Sequence, residues 1–377
     1  MKRFIKKRLL IAVVTVLTAV FITPVFADEA DIMDDLHDRI PEEVSPFLPD
    51  ELFSDTASAE NVVEITGADF IFGTLGGMLK EGLTPAMGSL SVILGTLLIS
   101  SAIGVLSRDI ADGRMSGAVS MITCLSLAVY IIMLEERLAA DIGAFAGTVS
   151  AFAGAMVPMM AGLLSASANT VGAAVTSSGL LLFSAAVEYI ITYIFVPLFR
   201  LGLALAVISS VAGEESGITG ICDMIKRTFT WLAAGAATIF SAVLAYQTEL
   251  AAAADTAAAR GVKYTVGSAI PVVGGALGDA VRTAASGLSV IKSGSGTIGI
   301  VVLILLVCPL IISLAYMSAT LGIASFASGL LGCGREASLL SELRSVTGFA
   351  IAIVALVGFV FIFALALFIK TAPAISL

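Results

Sequence analysis

The sequence predicts an all-α polytopic membrane protein with about six transmembrane helices and two proline–glycine elements arranged in a tandem repeat. Composition is the first observation: 58% of the 377 residues are hydrophobic and 13% are charged. Soluble proteins average roughly 45–50% apolar and about 25% charged residues. The second observation is a series of apolar segments, each long enough to cross a bilayer. The third is the recurrence of prolines and glycines at a nearly constant offset.

The segment 1–27 has the features of a secretory signal peptide. Five basic residues lie between Lys2 and Arg8, and an apolar run from Leu9 to Phe21 follows them. Small residues then lead to Ala27, where we expect cleavage. An uncleaved signal anchor is the alternative.

Residues 28–84 form a predicted acidic, exported arm. Between Asp28 and Asp69 the sequence has 14 carboxylates and one basic residue, Arg39. Such a charged segment serves either as a solvated linker or as a docking surface for an exported partner. The apolar residues that cluster between Ile65 and Leu79 predict an interfacial helix leading into the membrane.

Residues 85–377 form the predicted helical membrane domain. Its predicted spans are residues 85–106, 116–134, 177–211, 230–246, 297–331 and 346–369. As one straight helix, a 35-residue run would measure about 52 Å, which exceeds the hydrocarbon core of about 30 Å. We therefore expect each long run to be either a kinked helix that overshoots the membrane or two short helices, with the break at Pro197 or Pro309.

Landmarks at a nearly constant offset divide this domain into two predicted repeat units, 116–228 and 229–344. Pro158 and Gly162 of the first unit correspond to Pro271 and Gly275 of the second, and Pro197 corresponds to Pro309. Chance matching in a chain rich in alanine, glycine and leucine is the alternative.

The two proline–glycine elements are the predicted pore or packing elements. Broken backbone at membrane depth is tolerated only where it is buried in protein or lines a cavity. A re-entrant or broken helix is therefore expected around these candidate residues: Pro158, Gly162, Pro271, Gly274, Gly275, Asp279 and Arg282. Asp279 and Arg282, three residues apart, either line the mouth of a cavity or form the solvated face of an amphipathic helix.

Glu188 and Arg200 are the candidate intramembrane charges. Ionisable groups in an apolar run usually face a partner or a water-filled cavity. On a straight helix they would lie about 18 Å apart, so a break at Pro197 would be needed to bring them together. Alternatively, Arg200 extends to an interface and Glu188 lies near the other end. Gly143 and Gly147 have a close-packing GxxxG spacing, which we expect to be used within the chain.

No motif in the sequence supports catalysis, a cofactor or a metal. The four cysteines have no metal-ligand spacing. The segment 332–337, Gly-Cys-Gly-Arg-Glu-Ala, imitates a dinucleotide fingerprint, but no predicted strand precedes it. We therefore expect a protein that is not an enzyme, with no cofactor, no metal and no nucleic-acid partner.

The segment 270–280 reads Ile-Pro-Val-Val-Gly-Gly-Ala-Leu-Gly-Asp-Ala. With the signal peptide, the acidic arm and the polytopic apolar body, it resembles the stage III sporulation protein AE family of endospore-forming Firmicutes. The resemblance implies a subunit of a secretion-like channel between mother cell and forespore, needed for late forespore gene expression. It implies residence in the mother-cell membrane around the forespore, with other membrane and exported proteins of that complex, and the bilayer, as partners.

Two alternatives to a channel subunit remain. A secondary transporter or permease with two structural repeats would use Glu188, Asp279 and Arg282 as coupling or substrate residues. A pure scaffold would hold partners and conduct nothing. The sequence leaves self-association open.

Overall fold

The computed structural model describes residues 40–41, 44–49, 68–110, 114–166, 170–212, 274–370 and scattered positions from 224 to 238. Within these ranges the side chains of residues 68, 107–110, 114–116, 119, 159–166, 170–176, 274–296, 363 and 366–370 are not described. The predicted signal peptide, Pro271 and most of the predicted span 230–246 lie outside the described residues.

The described part is helical throughout. One 3-10 turn, Ser45–Phe47, precedes six α-helices. They are α1 (Ala68–Ile110), α2 (Arg114–Ala166), α3 (Thr170–Ile190), α4 (Val196–Ala212), α5 (Gly274–Leu330) and α6 (Gly334–Lys370). A five-residue π-helical turn, Ile191–Phe195, joins α3 to α4.

Four helical segments among the described residues are long and apolar enough to cross a membrane. They are Asp69–Leu106, Ser177–Val211, Thr297–Leu330 and Gly334–Ile362. They agree with four of the six predicted spans. The predicted span 116–134 lies within α2 and is not among these four segments.

Helix α2 lies at the centre of the bundle and contacts all the others. The α3–α4 pair runs antiparallel to α2, because Leu181 lies near Gly154 and Ser210 lies near Cys124. Helix α6 runs parallel to α2, because Glu336 meets Thr123 and Leu365 lies beside Gly299 and Met156 at the opposite end.

Helices α5 and α6 form an antiparallel hairpin with the most extensive helix–helix contact in the described structure. Arg344 lies against Gly322 near the turn, and Gly358 lies against Val307 farther along. Helix α1 runs parallel to α5: Tyr316 donates a hydrogen bond to the Leu79 carbonyl, and Ser101 donates one to the Leu331 carbonyl.

The proline positions give different outcomes. A helix irregularity does occur beside Pro197: it is the π turn, which ends two residues before this proline. Proline lacks the N–H that would bond the carbonyl four residues back, and π turns inside helices absorb such defects. Pro158 and Pro309, in contrast, lie inside α2 and α5, which continue past them. The expected breaks at Pro158 and Pro309 are therefore not seen, because neighbouring helices can support a helix through an isolated proline.

Small residues bring the helices together at three glycines. A Cβ added to Gly358 would lie 2.5 Å from Val307, one on Gly82 would lie 2.7 Å from Tyr316, and one on Gly299 would lie 2.8 Å from Leu365. Such close approach is the packing mode expected in lipid. At Gly143 and Gly147 no such close approach occurs among the described residues, because an added Cβ would meet none of them within 4 Å.

Candidate functional site

The structure places the described members of the two predicted pore elements on two helices, α2 and α5. Pro158 and Gly162 lie within α2, and Pro158 is exposed. Gly274 and Gly275 are the first two residues of α5. Asp279 and Arg282 follow in its first turns, which places their backbones about one turn apart on one helix. Pro271 lies outside the described residues, so the role of this element stays a prediction.

The two predicted intramembrane charges do not pair with each other. Glu188 is exposed on α3 and has no ion-pair partner in the described part of the chain. Arg200 on α4 instead forms a two-point ion pair with Glu136 on α2. Its Nε lies 3.1 Å from Oε2, and its Nη2 contacts Oε1.

The Glu136–Arg200 pair lies on the surface of the bundle. The two side chains are 49% and 48% exposed. Arg200 belongs to a segment long and apolar enough to span a membrane. A two-point Arg–carboxylate pair is the geometry that best offsets the cost of these charges.

A polar cluster around one fully buried carboxylate is the main polar site of the described structure. We define it as Glu336 and three hydroxyl residues, Ser100, Ser120 and Thr123. Ser100 Oγ donates to Glu336 Oε1 at 2.8 Å, and Thr123 Oγ1 donates to the same oxygen at 2.9 Å. Ser120 Oγ lies 3.3 Å from Oε2. Both carboxylate oxygens therefore have donors, as a buried charge requires.

A glycine turn places Glu336 in this cluster. Gly332 lies in the α5–α6 connection with a φ of +72°, a conformation that glycine adopts without strain. Cys333 N–H bonds the Ser328 carbonyl at 2.9 Å, and Gly332 N–H bonds the Gly329 carbonyl, which together form a Schellman motif. Helix α6 begins at Gly334, so Glu336 lies in its first turn. The positive end of the helix dipole stabilises a carboxylate there.

Further polar contacts connect α1 to the same turn. Ser101 Oγ donates to the Leu331 carbonyl at 3.0 Å, and the Cys333 thiol lies 3.9 Å from the Leu97 carbonyl. Burial raises the pKa of the Cys333 thiol, and the nearby Glu336 charge raises it further. A thiol in these surroundings stays neutral and unreactive near neutral pH.

A second buried carboxyl group lies farther along the same two helices. Glu135 on α2 is fully buried, and its Oε1 lies within hydrogen-bond distance of Thr347 Oγ1 on α6. Its Oε2 has no hydrogen-bond partner among the residues that the structure describes. Thr347 Oγ1 also lies 2.9 Å from the Leu343 carbonyl, one turn earlier on its own helix.

Sequence reasoning missed Glu135, Glu136 and Glu336 as site residues. The apolar length of the second predicted span ends at Leu134, so the glutamates that follow were treated as its boundary. Glu336 fell in a segment that was set aside as a false dinucleotide motif. A glutamate in the first turn after a glycine helix stop is the one local signal that could have identified it.

No group of three or more His, Cys, Asp or Glu side chains in the described residues could hold a metal ion. The hydroxyls of Ser100 and Thr123 donate to the Glu336 carboxylate inside the bundle. The arrangement can hold charge and protons inside the bundle and can join helices.

The fold and its buried carboxyl groups define a helical membrane protein with several candidate spans. Residues 60–372 match the family model for Stage III sporulation protein AE (spore_III_AE). This match covers most of the 377 residues, and the chain belongs to that family. No curated protein and no solved structure matches the chain.

Proposed function

We propose that this chain is a non-enzymatic membrane subunit of the secretion-like channel that links mother cell and forespore. The observation that carries the proposal is the family match over residues 60–372. The four long apolar helices support the membrane part of it. In this role the chain is needed for late forespore gene expression and resides in the mother-cell membrane around the forespore.

The partners that we propose are the bilayer and the other membrane and exported proteins of the channel complex. The acidic arm would face the space between the two membranes and present carboxylates to an exported partner. Val44 and Leu48, near the middle of the arm, are buried in the same hydrophobic cluster as the helices. Their burial supports an arm that is held on the bundle at this point.

One observation favours a scaffold over a conduit. Phe152, Phe199 and Ile131 are almost completely buried and fill the interior of the described bundle. Because these side chains fill the interior, a water-filled path would have to run outside the described bundle. It would then be lined by other subunits or by residues of this chain that the structure does not describe. A pure membrane scaffold is therefore our second candidate function.

A genetic experiment tests the proposal. In a spore-forming host, the gene would be deleted and a reporter of late forespore transcription would be followed. We expect loss of the reporter signal and of mature spores, with recovery when the intact gene is returned. Normal sporulation and normal forespore transcription in the deletion strain would contradict the proposal.

A labelling experiment separates the conduit from the scaffold. Single cysteines would be placed from Gly274 to Asp279 in a background without native cysteines, and intact cells would be treated with a membrane-impermeant thiol reagent. Labelling would place this segment in a water-filled path open to the outer face. Protection, with cysteines in the acidic arm still labelled, would favour the scaffold.

The transporter alternative has buried carboxyl groups at membrane depth in its favour, because such groups often bind coupling ions. It predicts gradient-driven uptake by the purified protein in liposomes. No uptake across a broad panel of solutes would count against it.

A further inference from the structure

We propose that Glu135 is a proton-binding site, occupied by a proton in the packed bundle, so that its side chain is a neutral carboxylic acid. The proposal rests on hydrogen-bond geometry at one contact between α2 and α6, and it is independent of the channel role.

The contact between Glu135 and Thr347 has more acceptors than the Thr347 hydroxyl can serve. Thr347 Oγ1 carries one hydrogen and has two acceptors within reach, the Leu343 carbonyl and Glu135 Oε1. If Glu135 is protonated, its O–H donates to Thr347 Oγ1, and the Thr347 O–H donates to the Leu343 carbonyl. Each hydrogen then has an acceptor, and each contact is a hydrogen bond.

The ionised form leaves a much poorer arrangement. A charged Glu135 would receive at most one hydrogen bond, from Thr347, and its Oε2 would remain bare. A buried charge without compensating donors costs far more than a buried neutral carbonyl oxygen. Breaking the Thr347–Leu343 hydrogen bond would also be required.

The same chain contains a second buried carboxyl group in different surroundings. Glu336 is as fully buried as Glu135 but has three hydroxyl neighbours and lies in the first turn of α6. Glu135 lies in the middle of α2, far from either helix end, with one hydroxyl neighbour. Glu135 therefore lacks the donors and the helix N-terminus that surround Glu336.

The charged groups on the surrounding elements do not compensate Glu135. On α2, Glu136 holds Arg200 of α4 at the bundle surface, and Arg137 and Asp141 are exposed. On α6, Arg344 lies against Gly322 of α5, one turn from Thr347, and Glu342 precedes it. Between Thr297 and Leu330, α5 contains no Asp, Glu, Lys, Arg or His; its titratable side chains there are Cys308 and Tyr316.

A consequence for the bundle follows from this charge state. To lose its proton, Glu135 would need additional hydrogen-bond donors, and the described side chains of the packed α2–α6 contact do not supply them. Proton release would therefore accompany separation of α2 from α6 at Thr347.

Infrared spectroscopy of the purified full chain in liposomes at neutral pH tests the proposal. A protonated carboxylic acid has a carbonyl stretching band apart from the carboxylate bands. We expect Glu135→Gln to remove an acid band, and its amide should preserve the fold by donating to Thr347. The matched variant Glu336→Gln, which also replaces a buried glutamate, should leave the acid band of Glu135 in place.

Loss of carboxylate intensity in Glu135→Gln, with the acid band unchanged, would overturn the proposal. Thr347→Val provides a second test if Glu135→Gln does not fold. It removes the acceptor of the Glu135 O–H, so the acid band should persist and move to higher frequency. An acid region identical to that of the unmodified protein would also overturn the proposal.

Discussion

Glu336 and its three hydroxyl neighbours form hydrogen bonds that join helices distant in sequence. Its contacts with Ser100, Ser120 and Thr123 join the start of α6 to α1 and α2, near the other end of the chain. In a bilayer, where the hydrophobic effect does not drive helices together, buried hydrogen bonds of this kind contribute to association.

Removing one hydroxyl donor tests this contribution. Thr123→Val preserves side-chain shape but deletes a donor to a buried carboxylate, which should cost about 1–3 kcal/mol. Thermal unfolding in detergent should show a lower Tm. Ser126→Ala, at an exposed position on the same helix, is the control and should change stability by less than about 0.5 kcal/mol. Equal Tm values for both variants would contradict a stabilising cluster.

The Glu136–Arg200 pair should respond asymmetrically to loss of one partner. Without Arg200, Glu136 can become neutral by taking up a proton, whereas Arg200 cannot lose its proton when Glu136 is absent. Glu136→Gln should therefore destabilise the protein in bilayers more than Arg200→Gln does.

The double variant Glu136→Gln/Arg200→Gln should recover part of the loss caused by Glu136→Gln. Unfolding of the three variants in liposomes would measure the coupling between the two side chains. Small and equal effects of the single variants would place the pair in water at the membrane surface, where such pairs contribute little.

Helix α6 depends on glycine where it crosses α5. Gly358→Ala would place a methyl group 2.5 Å from Val307, and relieving that overlap should cost about 1–3 kcal/mol. Gly348→Ala on the same helix meets nothing within 4 Å and is the matched control. The difference in Tm between these variants is the measurement. A Gly358→Ala protein as stable as Gly348→Ala would mean that the helices can separate without cost.

The elements show which parts of the structure the sequence could predict. Apolar length identified four helical segments, because a bilayer imposes that length on any spanning helix. The proline at 197 marked the position of a real irregularity, whereas Pro158 and Pro309 did not break their helices. Whether proline breaks a helix depends on its neighbours, and a single sequence does not contain that information.

The positions where helices pack closely could not be predicted from local sequence spacing, because they also depend on neighbouring helices. Gly143 and Gly147 have a close-packing spacing but face open space, and Gly358, with no such motif singled out, makes a close contact. Likewise, Glu336 and Glu135 are defined by partners on helices far away in the sequence. Only the assembled bundle reveals which small and charged residues face one another.

The attachment of the arm affects the molecule as a whole. Val44 and Leu48 are buried on either side of the turn Ser45–Phe47, in which Ser45 is exposed. Val44→Asp should release this part of the arm, because burying an unpaired carboxylate is costly. Limited proteolysis of the purified protein should then cleave the arm faster than in the unmodified chain. Ser45→Asp is the control, and equally slow cleavage in both variants would contradict the attachment.

The helix directions also constrain the chain between α4 and α5. Helix α4 ends at the Glu336 end of the bundle, since Ser210 lies beside Cys124, whereas α5 enters at the opposite end, since Gly299 lies beside Met156. If these helices span the membrane, we predict that the chain between Ala212 and Gly274 crosses it an odd number of times. The predicted span 230–246, outside the continuously described ranges, would supply one crossing. Topology reporters fused after Val211 and after Ser268 should then report opposite sides; the same side for both would contradict this parity.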